Sequence, residues 1–117
     1  MNYDKSTQRV ESNKEEAVIY SLSGELVQGS KLESWKEDVG QEIQKGQRIF
    51  VVDCGDLYYI NSGGLGYLLR VKREVDAAKG FLALVNLQEM VAAVFLNMGL
   101  HKVIRYYASI EEALASL

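Results

Sequence analysis

Two rhythms of apolar residues alternate along this chain. Continuous apolar runs recur at Ala17-Val18-Ile19-Tyr20-Ser21-Leu22, Ile49-Phe50-Val51-Val52, Phe81-Leu82-Ala83-Leu84-Val85 and Val103-Ile104-Arg105-Tyr106-Tyr107. Rich in branched and aromatic side chains, they read as strands, and Ile49 to Val52 suits a central strand covered on both faces. Between the runs, apolar residues return at helical spacing: Leu32, Trp35, Val39 and Ile43, then Leu65, Leu68, Leu69, Val71, Val75 and Ala78, then Val91, Val94, Phe95 and Met98. The first of these sets carries Lys36, Glu37, Asp38, Glu42 and Lys45 on its other faces, with Trp35 as a core anchor. Gly46, Gly80 and Gly99 stand where these helical patterns end, Gly46 in the place where a left-handed cap is common. Ser23-Gly24-Glu25 breaks the first strand. Ser109 is placed to cap a last helix from Ile110 to Leu117, whose first turn holds Glu111 and Glu112 where the dipole favours acid. The polar opening stretch offers only Arg9-Val10-Glu11 as a short edge strand.

The resulting order is β-β-α-β-α-β-α-β-α. Alternating strands and helices imply an α/β domain with a mixed, mostly parallel sheet, right-handed crossovers and about four helices. At 117 residues the chain supports one domain over residues 1–117, with its core from about residue 9 onward, and no second independent core.

Charge and composition then narrow the chemistry. Thirteen Lys and Arg against sixteen Asp and Glu leave a net charge of −3 with no basic block, which speaks against direct nucleic-acid binding. The single Cys54 excludes an internal disulfide and reads as a small buried residue, and no Cys/His cluster would hold a metal. Residues 1–7 lack the apolar core of a signal peptide, and no apolar run reaches membrane-spanning length. The expectation is a soluble cytoplasmic protein without membrane insertion. Turns are left to Gly, Asn and Ser, because the chain has no Pro.

The most informative stretch is Tyr59-Ile60-Asn61-Ser62-Gly63-Gly64-Leu65-Gly66, which joins a strand candidate to a helical pattern. It puts the Ser62 hydroxyl at a helix start, where unpartnered N–H groups and the dipole suit an anion, either bound or attached covalently as phosphate. Asn, Ser and Gly are also ordinary turn and cap residues, so a capped helix would explain part of it. Three glycines within four positions ask for more, since each costs about 1 kcal/mol relative to Ala inside a helix. A neighbouring strand or a partner protein must approach this backbone closely. Tyr58, Tyr59 and Tyr67 surround the junction, and amphipathic rings suit a protein-binding surface.

Enzymatic alternatives fail on detail. A nucleophile elbow wants Gly where Ile60 stands, and the only histidine, His101, lies far along the chain. Gly64-x-Gly66 has Leu69 where a dinucleotide fingerprint wants its third Gly, and no Gly-Lys-Ser/Thr element exists. Asp53 and Asp56 flank Cys54 at a strand end and fit turn formation, with Asp53 a candidate neighbour of Ser62 in space. Together with the glycines, these acids are all that motivates a small enzyme or a nucleotide-binding domain. The reading is a non-enzyme without a cofactor.

From about Ala17 to Leu117 the chain resembles the STAS domain family, typified by bacterial anti-sigma factor antagonists. Ser23-Gly24-Glu25-Leu26, Phe50-Val51-Val52-Asp53, Ile60-Asn61-Ser62-Gly63-Gly64-Leu65-Gly66, Gly80 to Asn86 and Asn97-Met98-Gly99-Leu100 are similar to that family's landmarks, in order. The resemblance implies a phospho-regulated binding module whose partner is an anti-sigma factor acting as a serine-protein kinase, with Ser62 as phosphate acceptor. It implies a partner-binding surface formed by Gly24, Glu25, Tyr59, Asn61, Ser62, Gly63, Gly64, Tyr67 and Arg70, on a monomer or weak dimer. The alternative is a STAS subunit that contacts the ATPase of a lipid-transport ABC complex. The chain departs from the family signature in carrying Asn61 for Asp, Gly63 for the second Ser and Val27 for Asp, and Asn61 removes a charge beside the acceptor.

Overall fold

A computed structural model describes residues 1–117. Its strands are β1 (Asn2–Arg9), β2 (Glu16–Leu26), β3 (Ile49–Ile60), β4 (Phe81–Val85) and β5 (Arg105–Tyr107). Its helices are α1 (Ser30–Gln44), α2 (Ser62–Ala77), α3 (Glu89–Asn97) and α4 (Ile110–Ala115), with a 3-10 turn at Leu100–Lys102. The strands lie side by side in chain order, β1 antiparallel to β2 and every other pair parallel. The expected α/β order and mixed sheet are what the structure shows.

Side chains alternate across a strand, and that alternation builds two unequal cores. Val18, Tyr20, Leu22, Phe50, Val52, Leu82 and Leu84 face one way and pack with Leu32, Trp35 and Val39 of α1, Leu65, Leu68, Val71 and Val75 of α2, and Val91 and Phe95 of α3. Ala17, Ile19, Ile49, Val51, Ala83 and Val85 face the other way and are covered by Ala113 and Leu114 of α4 with Val10. The inner parts of the central strands, Ala17 to Tyr20, Ile49 to Val52 and Phe81 to Val85, are therefore apolar at every position. Trp35 is fully buried and meets Tyr20 edge-on at 6.0 Å between ring centroids.

Several elements differ from the sequence expectation, each for a physical reason. The edge strand lies at Asn2–Arg9 and not around Val10: its backbone pairs with β2 while most of its side chains stay in solvent, so it has no apolar signature. Lys5 ties it to α1 through ion pairs with Asp38 at 3.0 Å and Glu42 at 3.1 Å. Glu42, expected on an open face of α1, is consequently buried beneath Lys5 and Lys45. The Tyr20 hydroxyl donates to Asp38 at 2.6 Å, and burial, then that carboxylate, push the phenol's ionisation upward. Met98 is exposed, and the last strand is shortened by the 3-10 turn, which leaves Val103 exposed.

The extensions of β2 and β3 matter most for function. Ser23-Gly24-Glu25 does not end β2, which runs on to Leu26, and Asp53 to Asp56 do not turn β3, which runs on to Ile60. β4 stops pairing at Val85 opposite Asp53, so the outer half of β3 has β2 as its only neighbour. Polar residues are tolerated on such a half-covered strand, and they mask its period. β3 uses two more residues than β2 between the pairs Ser21–Asp53 and Leu26–Ile60, so the register slips twice. Gly24 sits at one slip with a left-handed φ of 88°, a conformation Gly adopts without strain.

Cys54 lies inside β3, as its apolar setting suggested. Burial, and secondarily the charge of Asp53, push its thiol from 9.0 up to about 12. The neutral thiol is the form the fold accepts. Its stabilising contribution is present below pH 9.0 and falls away as pH climbs toward about 12, because only the unfolded chain ionises in that window. A thiol-specific reagent in mildly alkaline buffer should label Cys54 only in step with denaturant-induced unfolding. Fast labelling of the folded protein would contradict this burial.

Candidate functional site

The outer halves of β2 and β3 carry the chain to one end of the sheet, where α2 begins. Leu26 pairs with Ile60, and the next residue, Asn61, donates its backbone N–H to the Leu26 carbonyl at 3.3 Å. Asn61 is extended (φ −126°, ψ 178°), and its side-chain oxygen accepts from the Gly64 N–H at 2.9 Å. That is an N-cap, and it starts the 16-residue helix α2 at Ser62. Ser62 itself is exposed on the first helical position. Its own N–H and that of Gly63 have no acceptor within the helix, by their position in the first turn.

The glycines divide the labour. A Cβ on Gly64 would lie 1.9 Å from the Leu26 carbonyl oxygen, so only Gly lets the helix start seat against the end of β2. At Gly63 a Cβ would come 3.1 Å from the Gln28 Cβ, and at Gly66 it would meet nothing within 4 Å. The close approach that the glycines demanded is therefore made by a neighbouring strand at Gly64, while Gly66 borders open space.

That space is a shallow depression of about 220 Å³ lined by Gln28, Ser62, Gly63, Gly66, Tyr67 and Arg70. Arg70, the only charged residue among these, holds its guanidinium 4.8 Å from the Tyr67 ring centroid. Gln28 was not foreseen. Its signal was positional: the segment following a parallel strand emerges at the same sheet end as the start of the helix after the next strand.

The structure brings together most of the residues that the sequence singled out. Glu25 and Tyr59 are register neighbours and both exposed, Tyr59 to 49%. Tyr58 is exposed to 60%, and it and Tyr59, with Ile60, Met90, Val91 and Val94, line a small apolar hollow of about 130 Å³. Met90 and Val94 of α3 thus extend this surface, which the sequence reading did not anticipate. Gly24 and Gly64 take a different part from that expected of partner contacts. Gly64 is buried under the helix start, and Gly24 faces the beginning of the chain, with a Cβ there 3.8 Å from the Met1 Cα. Both shape the surface through backbone alone.

Asp53 is not a neighbour of Ser62. The remainder of β3 separates it from Ile60 by roughly 20 Å, at about 3.3 Å per extended residue. Its carboxylate instead accepts from the Gly55 N–H at 3.0 Å and from Asn86 Nδ2 at 3.1 Å. His101 is exposed on the 3-10 turn. No acid or imidazole lines the Ser62 depression.

The cap gives a direct check of this geometry. Asn61→Ala should destabilise the fold by about 1 kcal/mol, and Asn61→Asp, which keeps the acceptor oxygen, should restore that loss. Urea unfolding of the three proteins measures both. An unchanged midpoint for Asn61→Ala would show that α2 does not depend on this cap.

Comparison with known proteins agrees with this architecture. The STAS domain family model matches residues 8–113. BtrV of Bordetella bronchiseptica, whose own designation as an anti-sigma factor antagonist is provisional, is 31% identical over 99 residues, covering 85% of this chain and 84% of BtrV. A similarly designated protein of Thermotoga maritima, TM1081, superposes with a TM-score of 0.79 at 24% identity, covering 96% of this chain and 92% of that one. The anti-sigma factor antagonist SpoIIAA of Bacillus, in its unphosphorylated form, superposes with a TM-score of 0.67 at 21% identity, covering 97% and 96%. SpoIIAA has also been solved phosphorylated. These likenesses do not favour the transporter-subunit reading, and no helix here is long and apolar enough to cross a membrane. On the match over nearly its whole length and the shared fold, the chain belongs to the STAS domain family, as a domain of the anti-sigma factor antagonist kind.

Proposed function

We propose that this protein is an antagonist that binds an anti-sigma factor and is released when that partner, acting as a serine kinase, phosphorylates Ser62. One observation carries the reading: an exposed hydroxyl on the first position of a long helix, in a depression whose only charge is positive. In the transfer, Ser62 Oγ bonds to the γ-phosphorus of ATP held by the kinase. The bond from that phosphorus to the β–γ bridging oxygen breaks, ADP leaves, and the hydroxyl proton passes to a base of the kinase. The chain supplies the acceptor and no catalytic group.

The asymmetry between fold and interface makes this a switch. Phosphoserine adds close to two negative charges at neutral pH. At the start of α2 they meet the positive end of the helix dipole and two N–H groups without helical acceptors, so the domain accepts them. A partner packed over Ser62 would have to bury those charges. The neutral Asn61 keeps the cap without adding a second negative group beside the phosphate.

The test is incubation with the cognate kinase and ATP, followed by intact-mass measurement. One phosphate should appear on the wild type and none on Ser62→Ala. An unlabelled wild type, or equal labelling of Ser62→Ala, would overturn the assignment.

A further inference from the structure

Arg70 and Tyr67 border the same depression as Ser62, and this juxtaposition concerns how the phosphorylated state is held. Resting on the Ser62 reading above, we infer that Arg70 is an internal counter-ion for the Ser62 phosphate, positioned by Tyr67. On this inference phosphorylation disarms the binding surface twice, by adding negative charge and by withdrawing an exposed cation from the partner.

Arg70 follows Ser62 by eight residues, so their Cα atoms lie about 12 Å apart along the helix axis at about 1.5 Å per residue. Long side chains on a helix point back toward its N-terminus. Arg70 does so here, its guanidinium lying 4.8 Å from the ring centroid of Tyr67, one turn closer to Ser62. Stacking on that ring limits the rotamers open to the side chain, so less freedom is lost when it engages an anion. A phosphate on Ser62 would extend that side chain by a few ångströms at the depression that both residues line. Gly66 lies between them, and its missing side chain leaves the path open, with nothing within 4 Å of where a Cβ would stand. Gln28, which also lines the depression, carries an amide donor.

The chemistry fits the geometry. Guanidinium matches phosphate through paired N–H···O bonds, which a lysine ammonium does not reproduce in the same plane. No carboxylate lines the depression to compete for Arg70, and Arg70 forms no ion pair in the unphosphorylated protein. A cation stacked on a ring and left without an acid is poised for an anion that arrives later.

The experiment uses the full chain with phosphoserine incorporated at position 62 during translation, so it does not depend on any kinase. Phosphorus-31 NMR then follows the second ionisation of that phosphate in the wild-type background, in Arg70→Gln and in Arg70→Lys. The wild-type midpoint should lie below that of free phosphoserine, and Arg70→Gln should raise it by roughly half a unit to one unit. Arg70→Lys should fall between them. Because Arg70 is exposed, folding of each variant is expected and is verified by its thermal transition. Equal midpoints in wild type and Arg70→Gln would overturn the counter-ion role while leaving kinase labelling of Ser62 untouched. Failure of labelling in the kinase assay would instead remove the switch, whatever the NMR midpoint.

Discussion

Replacing Ser62 by aspartate should leave the domain folded and weaken its complex with the anti-sigma partner at least about 100-fold, roughly 3 kcal/mol. The fold has no reason to object. Position 62 is the first residue of α2 and is exposed, and acidic side chains are favoured in a first helical turn by about 0.3–1 kcal/mol. The thermal midpoint should therefore hold or rise slightly. The interface has every reason to object, because a carboxylate placed where a hydroxyl is covered loses its hydration without gaining a matched cation from the partner, and such mismatches cost several kcal/mol. Affinity for the partner, measured by calorimetry on Ser62→Asp and Ser62→Ala together, separates charge from simple loss of the hydroxyl. Full affinity in Ser62→Asp would show that the partner does not cover this residue.

Gly64→Ala should destabilise the whole domain by about 3 kcal/mol or more, near the upper end of what overpacking produces. The new Cβ would fall 1.9 Å from the Leu26 carbonyl oxygen and 2.5 Å from its carbon, both backbone atoms in the terminal β2–β3 pairing. No rotamer change relieves such a clash. The start of α2 must move away, which strains the bond from the Asn61 N–H to the same carbonyl and pulls Ser62 out of place. Gly66→Ala is the matching control: it has no neighbour to meet, and a helical Gly exchanged for Ala should gain about 0.5–1 kcal/mol. Opposite shifts of the unfolding midpoint for these two glycines, two residues apart, are the expected result. Equal shifts would mean that helix propensity, and not the contact with β2, governs the site.

The contrast between those glycines also shows where sequence reasoning loses resolution. Gly63, Gly64 and Gly66 look alike in a string, and each suggests a close approach. Only the packing of α2 against Leu26 reveals that one of them is required by the fold. The same holds for the acids. Asp53 seemed a neighbour of Ser62 because a polar residue after an apolar run reads as a turn; β3 instead continues beyond it on its pairing with β2, and leaves it behind. Gln28, Met90 and Val94 were missed because each belongs to the surface only by being folded next to Ser62 or Tyr59.

Local physics was legible from residue order alone. Apolar period distinguished strands from helices, because burying one face or both leaves a repeat that needs no knowledge of the partner element. Ser109 before Ile110 announced a cap that the structure contains, Ser109 Oγ accepting from the Glu112 N–H at 3.2 Å, since such bonds span only three residues. What required the folded chain were relations between distant segments: the continued pairing of β2 with β3 and its register slips, the seat of α2 on Leu26, and the meeting of Gln28, Ser62 and Arg70 around one depression. Those depend on how far each strand runs before it loses its neighbours, a quantity set by the whole sheet and written in no single stretch of residues.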